Sequence, residues 1–148
     1  MADYYPPVGF HFVVAFELPT VTTGDFQFQE VSGLSVSLET ETLVEGGENR
    51  FTYELPTRTK YDHLVLKRGM LIGSVLFQWA KEALENFNFI PTNLIITLLN
   101  ENHIPITAWY VVNAYPVKWS VTDLNAEQSS IVIESLELNY NYFKILKL

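Results

Sequence analysis

The sequence predicts a mainly β protein, a single small antiparallel β-barrel or sandwich with one flanking amphipathic α-helix. Three observations lead there. Phe10, Phe12, Val14, Phe16 and Leu18 recur at every second position, the period of a half-buried strand. Between residues 72 and 86 the period lengthens to three and four, as on one face of a helix. Aromatic residues, mostly Phe and Tyr, reach 14% within 48% hydrophobic residues, a composition that suits pleated surfaces better than a helical bundle. The chain has 148 residues and no Pro/Gly/Ser linker, which predicts one domain over 1–148.

Pro6–Pro7 keep residues 1–9 extended as an N-terminal arm ahead of the Phe10–Leu18 strand. Pro19 and Gly24 bracket the turn into a second strand, Asp25–Val31, which sets Phe26, Phe28 and Glu30 against Gln27, Gln29 and Val31. Ser32–Gly33 predicts a bend or bulge. Ser35–Thr42 then alternates Val36, Leu38, Thr40 and Thr42 against Ser35, Ser37, Glu39 and Glu41, so the first row is expected to face a core and the second, acidic row to face water. Gly46–Gly47, between Glu45 and Glu48, gives a tight excursion before Arg50–Leu55 resumes with Phe51, Tyr53 and Leu55 on one side, which reads as a hairpin with a charged tip.

Leu64–Lys67 is a short strand ending at Gly69. The helix over 72–86 is expected to dock through Ile72, Val75, Leu76, Trp79 and Ala83, with Ala80 and Leu84 on the same stripe, and to show Lys81, Glu82 and Glu85 outward; Ser74 is a candidate cap for a later start. Pro91 breaks it. Leu94–Leu99 and Ile104–Ala114 form a hairpin across Asn100–His103, followed by Tyr115–Lys118 and Trp119–Leu124. The last strand, Ile131–Tyr142, opposes Ile131, Ile133, Ser135, Glu137 and Asn139 to Val132, Glu134, Leu136, Leu138 and Tyr140. So many strands leave open edges, which proteins blunt or pair with something else.

The formal net charge of −8 disfavours nonspecific nucleic-acid binding, which needs clustered Lys and Arg. The basic cluster Lys67–Arg68, with Arg58 and Lys60 upstream, is better matched to an acidic patch on another protein. Cysteine is absent, which excludes disulfides and thiolate chemistry. The start MADYYPPVGF has no basic segment leading into an apolar core, so no signal peptide is expected and synthesis falls in the cytoplasm. Apolar runs such as Leu94–Leu99 are far too short to span a bilayer as helices, so no membrane insertion by this chain is expected.

No catalytic, cofactor or metal site is predicted, and the chain is not expected to be an enzyme. His11, His63 and His103 stand apart without ligand spacing. Asp62–His63 with Ser129–Ser130 lacks any nucleophile elbow, and Gly46–Gly47 lacks the lysine and helix start of a phosphate cradle. Glu39 and Glu41, ~7 Å apart along one strand face, lie beside Ser35 and Ser37 as a solvated wall. Trp79 belongs to the helix stripe, and Trp109 and Trp119 are open between core and a binding platform.

The segments PPVGFHF (6–12), FQEVSGL (28–34), EGGENRF (45–51), LPTRTKY (55–61), LVLKRG (64–69), PVKWSVTDLNAE (116–127) and IESLELNY (133–140) resemble, in this order over nearly the whole chain, the tail-tube proteins of contractile phages and phage-like extracellular contractile injection systems. The resemblance implies a fold related to the haemolysin-coregulated protein and a structural role as a homo-hexamer, with rings stacked into a tube around a lumen that passes cargo protein or DNA. It implies partners in a sheath, a baseplate and other tube paralogues, and a place in an assembled phage tail or an extracellular or cell-associated particle. Region 43–61, with Glu45, Gly46, Gly47, Glu48, Asn49, Arg50, Arg58 and Lys60, then corresponds to the extended loop that meets other subunits, joined by Lys67 and Arg68. Ser35, Ser37, Glu39 and Glu41 are expected on an acidic lumen wall. The chain is either the bulk tube protein or the baseplate-proximal tube initiator. A soluble β-barrel that binds a small ligand is the alternative.

Overall fold

The computed structural model describes residues 11–18, 27–44, 46–47, 52–70, 73–122 and 132–146. Its elements are β1 (His11–Phe16), β2 (Gln27–Phe28), β3 (Glu30–Ser32), β4 (Val36–Leu43), β5 (Tyr53–Tyr61), β6 (Leu64–Gly69), α1 (Val75–Asn86), β7 (Thr92–Leu99), β8 (Pro105–Val121), β9 (Ile133–Asn139) and β10 (Tyr142–Leu146). The N-terminal arm, Phe10, Phe26, Ile72 and the 123–131 segment lie outside the described residues.

All pairings are antiparallel, in the order β2-β1-β7-β8-β9-β6-β3, with β10 also on β8. The 17-residue β8 runs through both layers: its first half lies between β7 and β10, its second half pairs with β9. The segments read separately in the sequence as Ile104–Ala114, Tyr115–Lys118 and Trp119–Leu124 are one strand up to Val121, and Pro116 is buried beside a register shift, where its missing donor is tolerated. On the other side Gln29 separates β2 from β3 and donates its N–H to the Lys67 carbonyl at 2.8 Å. The irregularity at Gln29 shifts the alternation, so Phe28 and Val31 both turn to the core, where strict alternation had set them on opposite faces. The result is a sandwich of two sheets joined by strands that pass between them.

The core holds Val14, Leu64, Leu66, Leu94, Ile96, Val111 and Leu138, all 0% exposed. Helix α1 adds Leu76, Trp79, Ala80 and Ala83. It starts at Val75 because the Ser74 hydroxyl accepts from the Phe77 N–H at 3.0 Å and caps it. The Trp79 indole donates to the Ile90 carbonyl at 2.7 Å and meets Phe16 edge-on. Val75 is half-buried, and Leu84 is 43% exposed rather than part of the buried stripe. A helix twelve residues long that rolls Ala80 and Ala83 onto the sheet leaves position 84 on its flank.

Candidate functional site: a projecting hairpin and a polar sheet face

Strands β4 and β5 form a separate two-stranded sheet. Their register runs from Val36↔Tyr61 to Leu43↔Tyr53, with a shift at Glu39/Thr40 that leaves Thr57 as the extra residue. The Thr57 hydroxyl donates to the Glu39 carbonyl at 3.0 Å and fixes the bulge. Segment 53–61 is therefore a bulged strand, not an extended loop. Every residue of β4 is exposed, Leu38 at 57% and Val36 at 49%. The expectation that Val36, Leu38, Thr40 and Thr42 face this chain's own core is wrong: the hairpin leaves the sandwich before it reaches any layer that could cover them. Leu55, also exposed, stands across from Glu41 on the acidic side, because the bulge flips the alternation of β5. A two-stranded hairpin with apolar side chains in water is marginal on its own.

The hairpin's sides continue those of the sandwich. Tyr61 packs on Tyr140 and Phe143, so the Val36/Tyr61 side is the core side. On the opposite side lie Ser37 with Lys60 and Glu39 with Arg58, the last two joined at 3.4 Å, and Glu41. The same outward side of β3, β6, β9 and β8 carries the cross-strand set Glu30, Lys67, Ser135 and Ser120, then Ser32, Val65, Glu137 and Lys118. Glu30 meets Lys67 at 3.8 Å, and His63 Nδ1 meets Glu137 at 3.1 Å. This face is not acidic, as the row Ser35, Ser37, Glu39 and Glu41 alone suggested. The carboxylates of Glu30, Glu39, Glu41 and Glu137 are matched in number by Arg58, Lys60, Lys67 and Lys118.

Arg68 behaves differently from its neighbour. It is 4% exposed and ion-paired through Nε to Glu134, itself 4% exposed, at 3.2 Å. Its Nη2 donates to the Ser74 hydroxyl at 2.9 Å, its guanidinium lies 5.1 Å from the Phe28 ring centre, and the Trp119 indole donates to the other Glu134 oxygen at 2.8 Å. Arg68 is thus no part of an exposed basic patch: strand alternation turns it inward beside Leu64 and Leu66 while Lys67 turns out. The network ties the cap of α1 to β6, β8 and β9. Alternation alone could have found it, because Glu134 shares a row with Leu136, Leu138 and Tyr140.

Of the expected inter-subunit residues, the hairpin brings Gly46, Gly47, Arg58 and Lys60 onto one projection, while Glu45, Glu48, Asn49 and Arg50 lie outside the described residues. The outward residues that sequence reasoning missed are Glu30, Lys118 and Glu137; only cross-strand register identifies them as neighbours of Lys67. Trp79 is buried, and Trp109 and Trp119 pack against the core, so the three form no aromatic platform. Among the described residues no group of His, Asp and Glu is placed to hold a metal ion. Ser129–Ser130 lie outside the described residues, and His63 faces Glu137. No described helix is long and apolar enough to cross a membrane.

The family model for T4-like virus tail tube protein gp19 matches residues 8–144. A chain of the anti-feeding prophage (AFP) baseplate, 6-fold symmetrised, solved by cryo-EM, is 32% identical over 99% of this chain and 97% of its own, with a TM-score of 0.81. A chain of the sheath-tube complex of the PVC extracellular contractile injection system in its extended state is 23% identical over 98% and 94%, TM-score 0.78. Hcp1 from Flavobacterium johnsoniae shares the fold at 12% identity over 91% and 94%, TM-score 0.54. No curated protein matches the chain.

Proposed function

Because the chain belongs to the T4-like tail tube protein family, we propose that it forms a homo-hexameric ring of the inner tube of a contractile injection particle, at the end where the tube meets the baseplate. The observation that carries this reading is the β4–β5 hairpin, an exposed two-stranded sheet with apolar side chains on both faces and no cover among the described residues. Such a hairpin gains stability by docking on another copy, and a heterologous contact between different surfaces of identical chains closes into a ring when the rotation is right. The second open feature is the outer edge of β10, which pairs on one side with β8. Strand-edge pairing between copies joins such sheets into a continuous wall.

In the ring, the polar face with Ser35, Ser37, Glu39 and Glu41 lines the lumen, and the outer side of α1, with the exposed Lys81 and Glu85, faces away from it. Rings stack, and sheath, baseplate and tube paralogues are the surrounding partners. The chain carries no chemistry of its own in this role. A baseplate-proximal position is favoured over the bulk of the tube by 32% identity to a chain of the AFP baseplate against 23% for a chain of the PVC sheath-tube complex. Tagging the chain and locating it by immunogold labelling on native particles tests this. Label confined to the baseplate end is expected. Label along the full length would make it the bulk subunit, and no label on the tube would overturn the structural role.

A further inference from the structure

The distribution of charge between the faces of the chain is uneven. The whole chain holds 17 Asp and Glu against 9 Lys and Arg. Yet the outward side of β4–β5 and of β3, β6, β9 and β8 carries four of each: Glu30, Glu39, Glu41 and Glu137 with Arg58, Lys60, Lys67 and Lys118. They are interleaved rather than segregated, with Glu39 on Arg58 and Glu30 on Lys67 as cross-strand neighbours. The positions between them carry hydroxyls at Ser32, Ser37, Ser120 and Ser135 and apolar side chains at Val65 and Leu55. Among the described residues the excess acid therefore lies elsewhere, on Glu17, Glu54, Asp62, Glu82, Glu85 and Glu101.

From this we propose that the face is a charge-compensated wall suited to passing polypeptides of either net charge without holding them. The inference rests on the lumen assignment made above. A conduit for one polyanion is kept clear by a uniformly negative wall, because like charge repels at every ring. Among its described residues this chain has acid to spare and does not place it there. It instead sets a cation within reach of carboxylates across the face, so that a passing segment of either sign meets attraction and repulsion at similar distances, which cancel within a Debye length of about 8 Å at physiological salt. Polypeptides vary in charge along their length and between cargoes; nucleic acid does not.

The absence of cysteine allows a clean test on assembled rings or tubes. Ser135→Cys places one thiol per copy on the wall. In the assembly it is expected to react with a small maleimide and to be shielded from a maleimide on a large dextran; equal reaction with both would refute the lumen assignment itself. With shielding established, retention of oligo-glutamate, oligo-lysine and a single-stranded oligonucleotide is measured by pelleting at low salt. Wild type and Ser135→Cys are expected to hold little oligo-glutamate or oligonucleotide. Glu39→Gln with Glu137→Gln, or Glu30→Gln with Glu41→Gln should one pair impair assembly, is expected to raise retention of both polyanions about tenfold, in a salt-dependent way. Lys60→Gln with Lys118→Gln is expected to raise retention of oligo-lysine instead. Shielded tubes whose retention ignores these changes would overturn compensation while leaving the lumen assignment intact. Tight oligonucleotide binding by wild type would mark the wall as one for nucleic acid.

Discussion

Replacing Arg68 by Met tests whether the buried polar network holds the helix to the sheets. Arg68 and Glu134 are each 4% exposed and 3.2 Å apart, with Ser74 and Trp119 bonded to one or the other. Met retains much of the stem's packing against Phe28 but strands the Glu134 carboxylate in the interior. Breaking one partner of a buried pair costs about 3–5 kcal/mol, because the remaining charge stays desolvated. Against a total stability of roughly 5–15 kcal/mol this is a large share. At about 2–4 °C per kcal/mol it lowers Tm by roughly 6–20 °C. Adding Glu134→Gln removes the stranded charge and keeps an acceptor for the Trp119 indole, so the double variant is expected to recover about 2 kcal/mol. Urea unfolding of dilute protein, followed by tryptophan fluorescence and circular dichroism, gives all four corners of the cycle. A single variant within about 1 kcal/mol of wild type would mean that water reaches the pair, and the locking argument would fail.

Trp79→Ala, at a site 6% exposed and bonded to the Ile90 carbonyl, is expected to cost about 3–5 kcal/mol in the same measurement; an unchanged midpoint would contradict its burial. Leu38→Asp, by contrast, alters a side chain 57% exposed and should leave unfolding of the monomer within about 0.5 kcal/mol while ring formation falls, as read by sedimentation. Assembly that survives it would remove the hairpin's apolar side from the interface. Burial, and then the charge of Asp62, raise the Tyr140 phenol to about 12. A raised folded value means that its contribution is fully present below pH 10 and is lost as pH rises from about 10 to about 12, by roughly 2 kcal/mol. Phenolate absorbance should show one tyrosine titrating late, and Tyr140→Phe should flatten that part of the stability profile.

The layered β architecture was legible because core-facing strands imprint a period of two: Val14 and Phe16, Leu64 and Leu66, and Leu136 and Leu138 all point where alternation puts them. The helix was legible for the same reason at its own period, and Ser74 marked its start better than Ile72 did. What alternation cannot supply is the identity of the covering layer. Val36 and Leu38 have the pattern of residues awaiting cover, and nothing local distinguishes cover by one's own helix from cover by another copy. Arg68 failed differently. A cation next to Lys67 reads as surface, although alternation with Leu64 and Leu66 turns it inward; the partner that makes its burial tolerable, Glu134, lies 66 residues away on the paired strand. The polar wall was half legible, since Ser37, Glu39 and Glu41 form a row in sequence while their cationic partners arrive through register.

Pro56 in β5 and the bulge beside it have a kinetic consequence. The nine residues of β5 extend roughly 30 Å, a length of edge that in an ordinary soluble protein invites indiscriminate pairing. Pro56 lacks a donor, and Thr57 has no opposite number on β4, so the ladder β5 presents is interrupted near its middle. Two free copies that meet at random are expected to find only short stretches in matching register. A partner that already displays the correct geometry engages both stretches at once. In the proposed role growth is therefore expected to be slow from solution and fast from a template, so that preformed rings added to the dilute subunit should remove the lag in turbidity.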